Sequence, residues 1–345
     1  MAFRSRAGAL LSMAVALLLA VTGCGTTLSA LAGHSSSAPA ASAGPFTLLQ
    51  EPEAGLTPLR DIISAATKSV KFCIYELADP ATEDALIASR NRGVQVQVLL
   101  DTAFHGQEAN AAAYDKLSAA GVDVRWAPQD TILHEKSLTT DGTRSAIGTG
   151  NAQAKFMATS RDFWIIDTDP GDVAAAAATF DQDFTGHVSQ AVPGPHLVWS
   201  PGARQTVIAR IDAARNTLMA TSEELTDRPT AKALERAATR GVPCRIILPA
   251  GANNTQTIAA VARAGCQIHH TSAQSDALYM HSKVLVTDGQ SPDGGDTVLV
   301  GSINLSTKSL TEDRELAVLL DSRTAGPIVA AIESTFEKDF AATAA

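Results

Sequence analysis

The stretch HEKSLTTD at residues 134–141 recurs as HSKVLVTD at residues 281–288. Each copy reads His-x-Lys-x-x-x-x-Asp and is followed by a Gly-[Ser/Thr]-x-Asn turn, at residues 148–151 and 301–304. One match to the eight-residue pattern is expected by chance on the order of once per hundred such chains. Two matches, each with the same kind of turn after it, indicate a duplicated unit that carries reactive residues in both copies.

The sequence before each motif also repeats. At an offset of 148 positions, residues 76–94 and 224–242 agree in order. The identical positions include Glu76 with Glu224, Leu77 with Leu225, Asp79 with Asp227, Ala85-Leu86 with Ala233-Leu234, and the Arg-Gly-Val stretches at residues 92–94 and 240–242. Agreement of this kind is the signature of an internal repeat. We therefore expect a first half at residues 45–190 and a second half at residues 191–345.

Helical and strand patterns alternate in the same way in each half. Amphipathic patterns predict helices at residues 59–68, 81–92, 108–120 and 172–184, and again at 206–216, 230–240, 255–264 and 328–340. Apolar runs predict strands at 70–75, 94–100, 134–138 and 145–148, and at 217–222, 243–248, 281–287 and 297–301. This alternation predicts an α/β fold of two repeated α/β/α halves with mixed, largely parallel sheets.

The motif spacing favours phosphate chemistry. Two residues apart on a strand, His134 and Lys136 point to the same side, and so do His281 and Lys283. An ammonium beside an imidazole is costly to bury unless an anion lies between them, and phosphate suits both groups. Asparagines in the Gly turns can donate to the same oxygens and stabilise charge in the transition state.

A histidine becomes a nucleophile when an acceptor fixes its other ring nitrogen. Asp162 and Glu315 each lie eleven residues past the turn asparagine and directly after an arginine, so they are the predicted acceptors. One histidine would attack phosphorus and the other would protonate the leaving oxygen, without a metal or other cofactor. The predicted catalytic residues are His134, Lys136, Asp141, Asn151, Asp162, His281, Lys283, Asp288, Asn304 and Glu315.

The N-terminus predicts export. Arg4 and Arg6 precede an apolar run at residues 9–21, and Val-Thr-Gly-Cys24 resembles a bacterial lipobox. We expect a signal peptide at residues 1–23, a lipidated Cys24, and a flexible tether at residues 24–44 that anchors the protein to the outer face of the cell membrane. An ordinary secretory signal cut nearby, or an uncleaved anchor, are the alternatives.

Charge and cysteine content restrict partners and metals. The formal net charge is -9, which repels nucleic acid and anionic lipid at long range and requires phosphate recognition to be local. Three cysteines remain outside the leader, with no zinc-ligand spacing. Cys244 and Cys266 could form a disulfide in an export compartment or stay as buried thiols, as Cys73 could.

From Pro45 to Phe340 the paired motifs, the repeat and the Gly-[Ser/Thr]-x-Asn turns resemble the phospholipase D superfamily. The resemblance implies two α/β halves about a pseudo-twofold axis, with both motifs in one cleft, and a covalent phosphohistidine. It further implies that His134 attacks and His281 donates the proton. Two features depart from the usual pattern: Thr149 replaces serine, and six extra residues between Asp288 and Gly301 predict a longer hairpin tip.

The expected activity is phospholipase D-type hydrolysis, or transfer, of phosphatidyl headgroups by a monomer at a membrane surface. The superfamily also contains cardiolipin synthases, nucleases and inactive members. A cardiolipin synthase-like phosphatidyltransferase, a metal-independent extracytoplasmic endonuclease and a catalytically silent binding protein are therefore the alternatives. Nucleic acid is the less favoured substrate because of the acidic charge and because only 5% of the residues are aromatic.

Overall fold

The computed structural model describes residues 41–104, 106–188, 190–252, 255–274, 276–288 and 295–343. The predicted signal peptide, Cys24, most of the predicted tether and residues 289–294 of the longer hairpin lie outside these residues. Within the described part of the chain, no helix combines the length and apolar character that crossing a bilayer requires.

The first half contains ten strands and four α-helices within the described residues. In chain order they are β1 (Ala41–Ala43), β2 (Phe46–Glu51), α1 (Thr57–Ala65), β3 (Ser69–Ile74), β4 (Leu77–Ala78), α2 (Pro80–Asn91), β5 (Gln95–Leu100), α3 (Gly106–Ala119), β6 (Asp123–Trp126), β7 (Lys136–Thr140), β8 (Arg144–Gly148), β9 (Ala152–Gln153), β10 (Ser160–Asp167) and α4 (Pro170–Asp183).

The second half follows a similar order. Its described elements are β11 (Leu197–Ser200), α5 (Ala203–Ala213), β12 (Leu218–Thr221), α6 (Arg228–Thr239), β13 (Cys244–Leu248), α7 (Thr255–Arg263), β14 (Gln267–His270), β15 (Tyr279–Met280), β16 (Lys283–Thr287), β17 (Thr297–Gly301), α8 (Thr307–Thr311), β18 (Glu315–Asp321) and α9 (Ser322–Ala342).

Each half is built on one mixed sheet. The strand orders are β1-β2-β10-β8-β7-β3-β5-β6 and β11-β18-β17-β16-β12-β13-β14. Parallel pairing along these orders is confined to β3-β5-β6 and β12-β13-β14, where helices make the crossovers. The motif strands are antiparallel: β7 pairs with β8, which follows after a three-residue turn, and β16 pairs with β17. The α/β prediction is confirmed, but the parallel share of each sheet is smaller than predicted.

Repeated capping residues explain part of the sequence repeat. Asp79 caps α2 by accepting a hydrogen bond from the Thr82 N–H, and Asp227 caps α6 through the Thr230 N–H. An aspartate at this position satisfies an N–H that would otherwise lack a partner and contributes about 1 kcal/mol. The identical aspartates found at the 148-residue offset are therefore helix caps.

Three apolar cores hold most of the fold together. Each half has its own core between its sheet and its outer helices. A third core is shared, because Phe46, Leu48 and Ile147 of the first half lie in one cluster with Val284 and Val300 of the second. Full burial of each such side chain contributes about 1.5–3 kcal/mol.

The last residues of the predicted tether belong to the fold. Ala41–Ala43 form β1 and pair antiparallel with residues 46–48 of β2. Gly44, with φ of +54°, makes the turn between them, a conformation that glycine adopts without steric cost. The boundary predicted at residue 44 therefore lies inside a β-hairpin.

The structure resolves the open question about the second-half cysteines. Cys244 and Cys266 form a disulfide with Cα atoms 4.6 Å apart. Cys244 opens β13 and Cys266 directly precedes β14, so parallel pairing of these two strands brings the cysteines together. Cys73 is a buried free thiol.

Two buried ion pairs join the halves reciprocally. The Arg161 guanidinium of β10 contacts Asp339 of α9 at 2.7 Å, and the Arg314 guanidinium contacts Asp183 of α4 at 2.8 Å. Each arginine directly precedes one of the predicted acids, and each aspartate lies in the closing helix of the other half. The side chains of Arg314 and Asp183 are 1% and 2% exposed, so their charges depend strongly on each other.

Asp183→Ala is expected to lower the free energy of unfolding by about 3–5 kcal/mol, because it removes the carboxylate from a buried guanidinium. Glu235→Ala is the control, since it removes an exposed ion pair with Lys232 and should cost less than about 1 kcal/mol. Urea unfolding measures both. Similar losses for the two variants would contradict the importance of the inter-half pair.

Candidate active site

Each motif histidine lies in the segment that leads into a strand. β7 begins at Lys136 and β16 at Lys283, so His134 and His281 precede the strands on which they were predicted. Both lysine side chains are buried, and each turns back toward its own histidine. Lys136 Nζ donates to the His134 carbonyl oxygen at 2.6 Å, and Lys283 Nζ donates to the His281 carbonyl oxygen.

The two histidines are paired with acids from opposite halves. His134 Nδ1 lies 2.9 Å from Glu315 Oε2, and His281 Nδ1 lies 2.9 Å from Asp162 Oδ1. The sequence predicted both acids as acceptors, and the structure adds that the pairing is crossed. Each contact joins a histidine of one copy to an acid of the other, and the two pairs are near enough for the charges of His281 and Lys283 to lower the pKa of His134.

Backbone pairing between the two halves produces the crossed histidine–acid pairing. Leu133, just before His134, forms a parallel bridge with Arg314, just before Glu315. In the same way Met280, just before His281, pairs with Arg161, just before Asp162. Because parallel neighbours keep the same register, each histidine arrives beside the acid of the other half.

Glycine is required at the start of both turns by close packing. A Cβ atom on Gly148 would lie 2.4 Å from the ring of Trp164, and one on Gly301 would lie 2.3 Å from the backbone oxygen of Leu316. Both distances are far inside van der Waals contact. The glycines let the turns approach the strands β10 and β18 that carry the acids.

The hydroxyl after each glycine fixes the acid-bearing strand. Thr149 Oγ1 donates to Asp162 Oδ1 at 2.5 Å and accepts from the Phe163 N–H. At the equivalent place, Ser302 Oγ accepts from the Leu316 N–H at 3.1 Å. Threonine at position 149 therefore keeps the hydroxyl contacts that serine makes in the second half.

The turn asparagines lie beside the loops that follow β3 and β12. Asn304 Oδ1 accepts hydrogen bonds from the Ser222 hydroxyl and the Glu223 N–H, both at 3.0 Å. Asn151 Nδ2 donates to Glu76 Oε2 at 3.3 Å. Glu76, which the repeat alone marked, thus holds one of the predicted site residues in place.

Asp141 and Asp288 are not brought into this site. The Asp141 carboxylate accepts the backbone N–H groups of residues 67, 68 and 69, and Asp288 accepts those of residues 215, 216 and 217. Asp141 follows the far end of β7, roughly 16 Å along the strand from Lys136. Both aspartates anchor the motif hairpin to the start of a neighbouring strand, so their position assigns them a structural role instead of the predicted catalytic one.

Glu223 is a site residue that the sequence analysis missed. Its Oε2 lies 2.8 Å from Lys283 Nζ and 3.4 Å from His281 Nε2, and its Oε1 accepts from the Tyr279 hydroxyl at 2.8 Å. Tyr75 holds the same repeat position in the first half and packs edge-on against His134, with ring centroids 4.8 Å apart. A search for identical residues could not find this pair, because the two copies differ here.

Burial and charge make the two His–acid pairs different. Burial and the charges of Lys136 and Lys283 hold the pKa of His134 well below its usual value, so its ring is neutral. Burial raises the pKa of Glu315 to about 7. Burial also acts to raise the pKa of Asp162, but the charge and hydrogen bond of His281 lower it overall, so Asp162 is ionised at neutral pH.

Lysine charge in the site is also sensitive to pH. Burial lowers the pKa of Lys136 to about 7, and the nearby charge of Lys283 adds to this effect. An anion bound beside Lys136 would favour its charged form.

One group within the described residues has ligand atoms close enough to hold a metal ion: Asp169, Asp172 and His196. It contains none of the motif residues. Asp172 Oδ2 lies 2.6 Å from His196 Nδ1, and Asp172 Oδ1 accepts the His196 N–H. These contacts tie α4 to the segment that leads into β11, which accounts for the cluster without a ligand.

Known proteins resemble this chain in sequence and in fold. Mitochondrial cardiolipin hydrolase of Xenopus tropicalis is 26% identical over 121 residues, which are 35% of this chain and 57% of that protein. The chain thus spans a little over half the length of this curated relative. Phosphatidylserine synthase of Haemophilus influenzae is 12% identical, with 87% of each chain covered and a TM-score of 0.66.

A second solved structure shares the fold at low identity. Polyphosphate kinase of Porphyromonas gingivalis is 15% identical over 80% of this chain and 47% of its own, with a TM-score of 0.61. The family model described as "Cardiolipin synthase, PLD-like domain" matches residues 59–186 and again residues 207–340, one match in each half. With two repeats that together span most of its length, the chain belongs to this PLD-like family and so to the phospholipase D superfamily.

Proposed function

We propose that this protein is a phosphodiesterase of phospholipase D type that cleaves phosphatidyl headgroups through a covalent phosphohistidine. The observation that carries the proposal is the crossed pairing of two histidines with two buried acids beside two buried lysines. This set supplies a nucleophile, an acid and positive charge for one phosphoryl group.

His134 is the nucleophile in this proposal. When ionised Glu315 accepts the hydrogen of Nδ1, the lone pair of Nε2 is free to attack phosphorus. The bond from phosphorus to the headgroup oxygen breaks as the nitrogen–phosphorus bond forms. The neutral state of His134 that burial imposes suits this role.

His281 is the acid and then the base. Its Nδ1 faces Asp162, so its Nε2 can deliver a proton to the leaving alkoxide. In the second step Nε2 takes a proton from water, the hydroxide oxygen bonds to phosphorus, and the bond to His134 breaks. An alcohol in place of water would give transfer instead of hydrolysis.

The lysines and asparagines stabilise the transition state. Lys136 and Lys283 place positive charge next to the non-bridging oxygens, and Asn151 and Asn304 add neutral donors after a rotation of their amides. The hydrogen bond from Asn151 to the Glu76 carboxylate and that from the Glu223 N–H to Asn304 keep both asparagines at the site.

Exposed aromatic rings beside the site favour a lipid substrate. Tyr279 and Phe156 are 43% and 46% exposed. The Tyr279 ring lies 6.1 Å from the His281 ring, centroid to centroid, and backbone hydrogen bonds through Thr159 connect the chain at Tyr279 with that at Phe156. Amphipathic aromatic rings are suited to the interface of a bilayer. The net charge of -9 disfavours nucleic acid.

Anchoring at a membrane is the second part of the proposal. A lipidated Cys24 would hold the site beside its substrate at high effective concentration. The support for it is the sequence pattern alone, namely the positive n-region, the apolar run and the small residues before Cys24.

His134→Ala and His281→Ala are each expected to lower headgroup release from phospholipid by at least a thousandfold, because each removes a group that bonds to reacting atoms. Asp141→Asn is the control and should keep wild-type kcat while lowering stability, since Asp141 only anchors the hairpin. Headgroup release is assayed in chelator, in parallel with single-stranded DNA. Cleavage of DNA with no release from any phospholipid would favour the nuclease alternative.

The dependence of kcat/KM on pH should be bell-shaped with its maximum near pH 7. Below pH 7 Glu315 gains a proton and no longer accepts from His134, and above pH 7 Lys136 loses the charge that binds phosphate. Lys136→Arg should move the alkaline limb to higher pH, because guanidinium keeps its charge. An unchanged alkaline limb in that variant would exclude Lys136 as its source.

Cys24→Ala is expected to move the protein from the membrane fraction to the soluble fraction of a bacterial host that processes lipoproteins. Mass spectrometry of the wild-type N-terminus should find a diacylated cysteine. Recovery of the wild-type protein from the medium, with a free N-terminus near residue 24, would indicate an ordinary secretory signal.

A further inference from the structure

Glu223 places a third carboxylate at the side of the site where the leaving alcohol must depart. Its Oε2 is 3.4 Å from His281 Nε2, the atom that donates the proton in the proposed reaction. Its other oxygen is held by the Tyr279 hydroxyl at the exposed edge of the site. An alcohol that leaves through His281 therefore passes next to this carboxylate.

The charge of Glu223 is retained in spite of its surroundings. Burial acts to raise its pKa, but the charges of His281 and Lys283 and the hydrogen bonds from Lys283 and Tyr279 lower the pKa well below its usual value. A stable negative charge beside a phosphate site is unfavourable unless something positive accompanies the phosphate. In the first half the same repeat position holds Tyr75, which is uncharged at neutral pH.

The charged side chains around the proposed phosphate position indicate which charge the substrate should carry. Three positive groups face the phosphate position when His281 carries its proton: Lys136, Lys283 and His281. Four carboxylates contact or neighbour them: Asp162, Glu315, Glu223 and, near Lys136, Glu76. A phosphodiester adds one more negative charge to this set, and a cation on its leaving alcohol offsets that charge beside Glu223.

We propose that Glu223 determines substrate specificity by selecting phosphodiesters whose leaving alcohol is positively charged, as in an amino alcohol. The proposal rests on the phosphodiesterase function above. When phosphate takes over Lys283, the Glu223 carboxylate stays fixed by Tyr279 and accepts the ammonium of the leaving group. Neutral leaving alcohols such as glycerol, and the sugar of a polyanionic strand, leave its charge without a partner.

The test compares phosphatidylethanolamine with phosphatidylglycerol in neutral detergent micelles, by release of ethanolamine and of glycerol. The wild type should favour ethanolamine release in kcat/KM, and Glu223→Gln should lower the ratio of the two by about tenfold or more. Glu223→Asp keeps the charge and should keep most of the preference. Glu224→Gln removes the adjacent carboxylate and should leave the ratio unchanged.

An unchanged ratio in Glu223→Gln, or an equal loss on both lipids, would overturn the proposal and leave Glu223 as a partner of Lys283 only. Loss of preference in Glu224→Gln as well would point to long-range charge instead of this contact. If the wild type cleaves neither lipid, the phosphodiesterase function fails in its lipid form, and binding then tests Glu223 separately.

That second measurement uses calorimetry on the His134→Ala variant with two soluble diesters, glycerophosphoethanolamine and glycerophosphoglycerol. Tighter binding of the ethanolamine diester, lost when Glu223→Gln is added, supports the proposal without any turnover. Equal binding of the two diesters, or binding of neither, overturns it.

Discussion

The exchange of acids between the halves is the interaction on which the site depends. Each Arg-acid dipeptide, Arg161-Asp162 and Arg314-Glu315, turns its arginine to an aspartate in the closing helix of the other half and its acid to the other histidine. Neither histidine finds the acceptor for its Nδ1 within its own half. Docking of the halves therefore also assembles the site. The buried ion pairs that stabilise the interface hold the strands that carry Asp162 and Glu315 beside the histidines.

The two halves carry the same motif residues, but the residues around the two histidines differ. His134 lies beside Glu315, whose pKa burial raises to about 7, and against the ring of Tyr75. His281 lies between ionised Asp162 and Glu223, with a carboxylate at each ring nitrogen. In the proposed mechanism, the first environment keeps a ring neutral for attack, and the second suits a ring that donates on one side while it is held on the other. The two histidines occupy the same motif position, and their neighbours differ.

Two aspartates that the motif predicted to be catalytic have a structural role, because of their position along the strand. Asp141 and Asp288 follow the ends of β7 and β16 that point away from the histidines, where three backbone N–H groups converge on each carboxylate. The same hydrogen bonds lower the pKa of Asp141 to about 2, against the effect of burial. The pattern thus combines two sites at opposite ends of one strand: the proposed phosphate site and a site for the chain's own carboxylate.

The sequence by itself determined the repeat, most of the helices, the central strands around the motifs, and the identity of the histidines, lysines, asparagines and acids, because these follow from local periodicity and from identical residues at a fixed offset. It did not determine which acid serves which histidine, the antiparallel share of the sheets, the β-hairpin at Ala41–Ala43, the disulfide or the presence of Glu223. Each of these depends on contacts between residues far apart in the chain. The sequence around Glu223 does not show whether its carboxylate faces solvent or contacts Lys283, sixty residues further along the chain. Only the packing of the strands decides between these two arrangements.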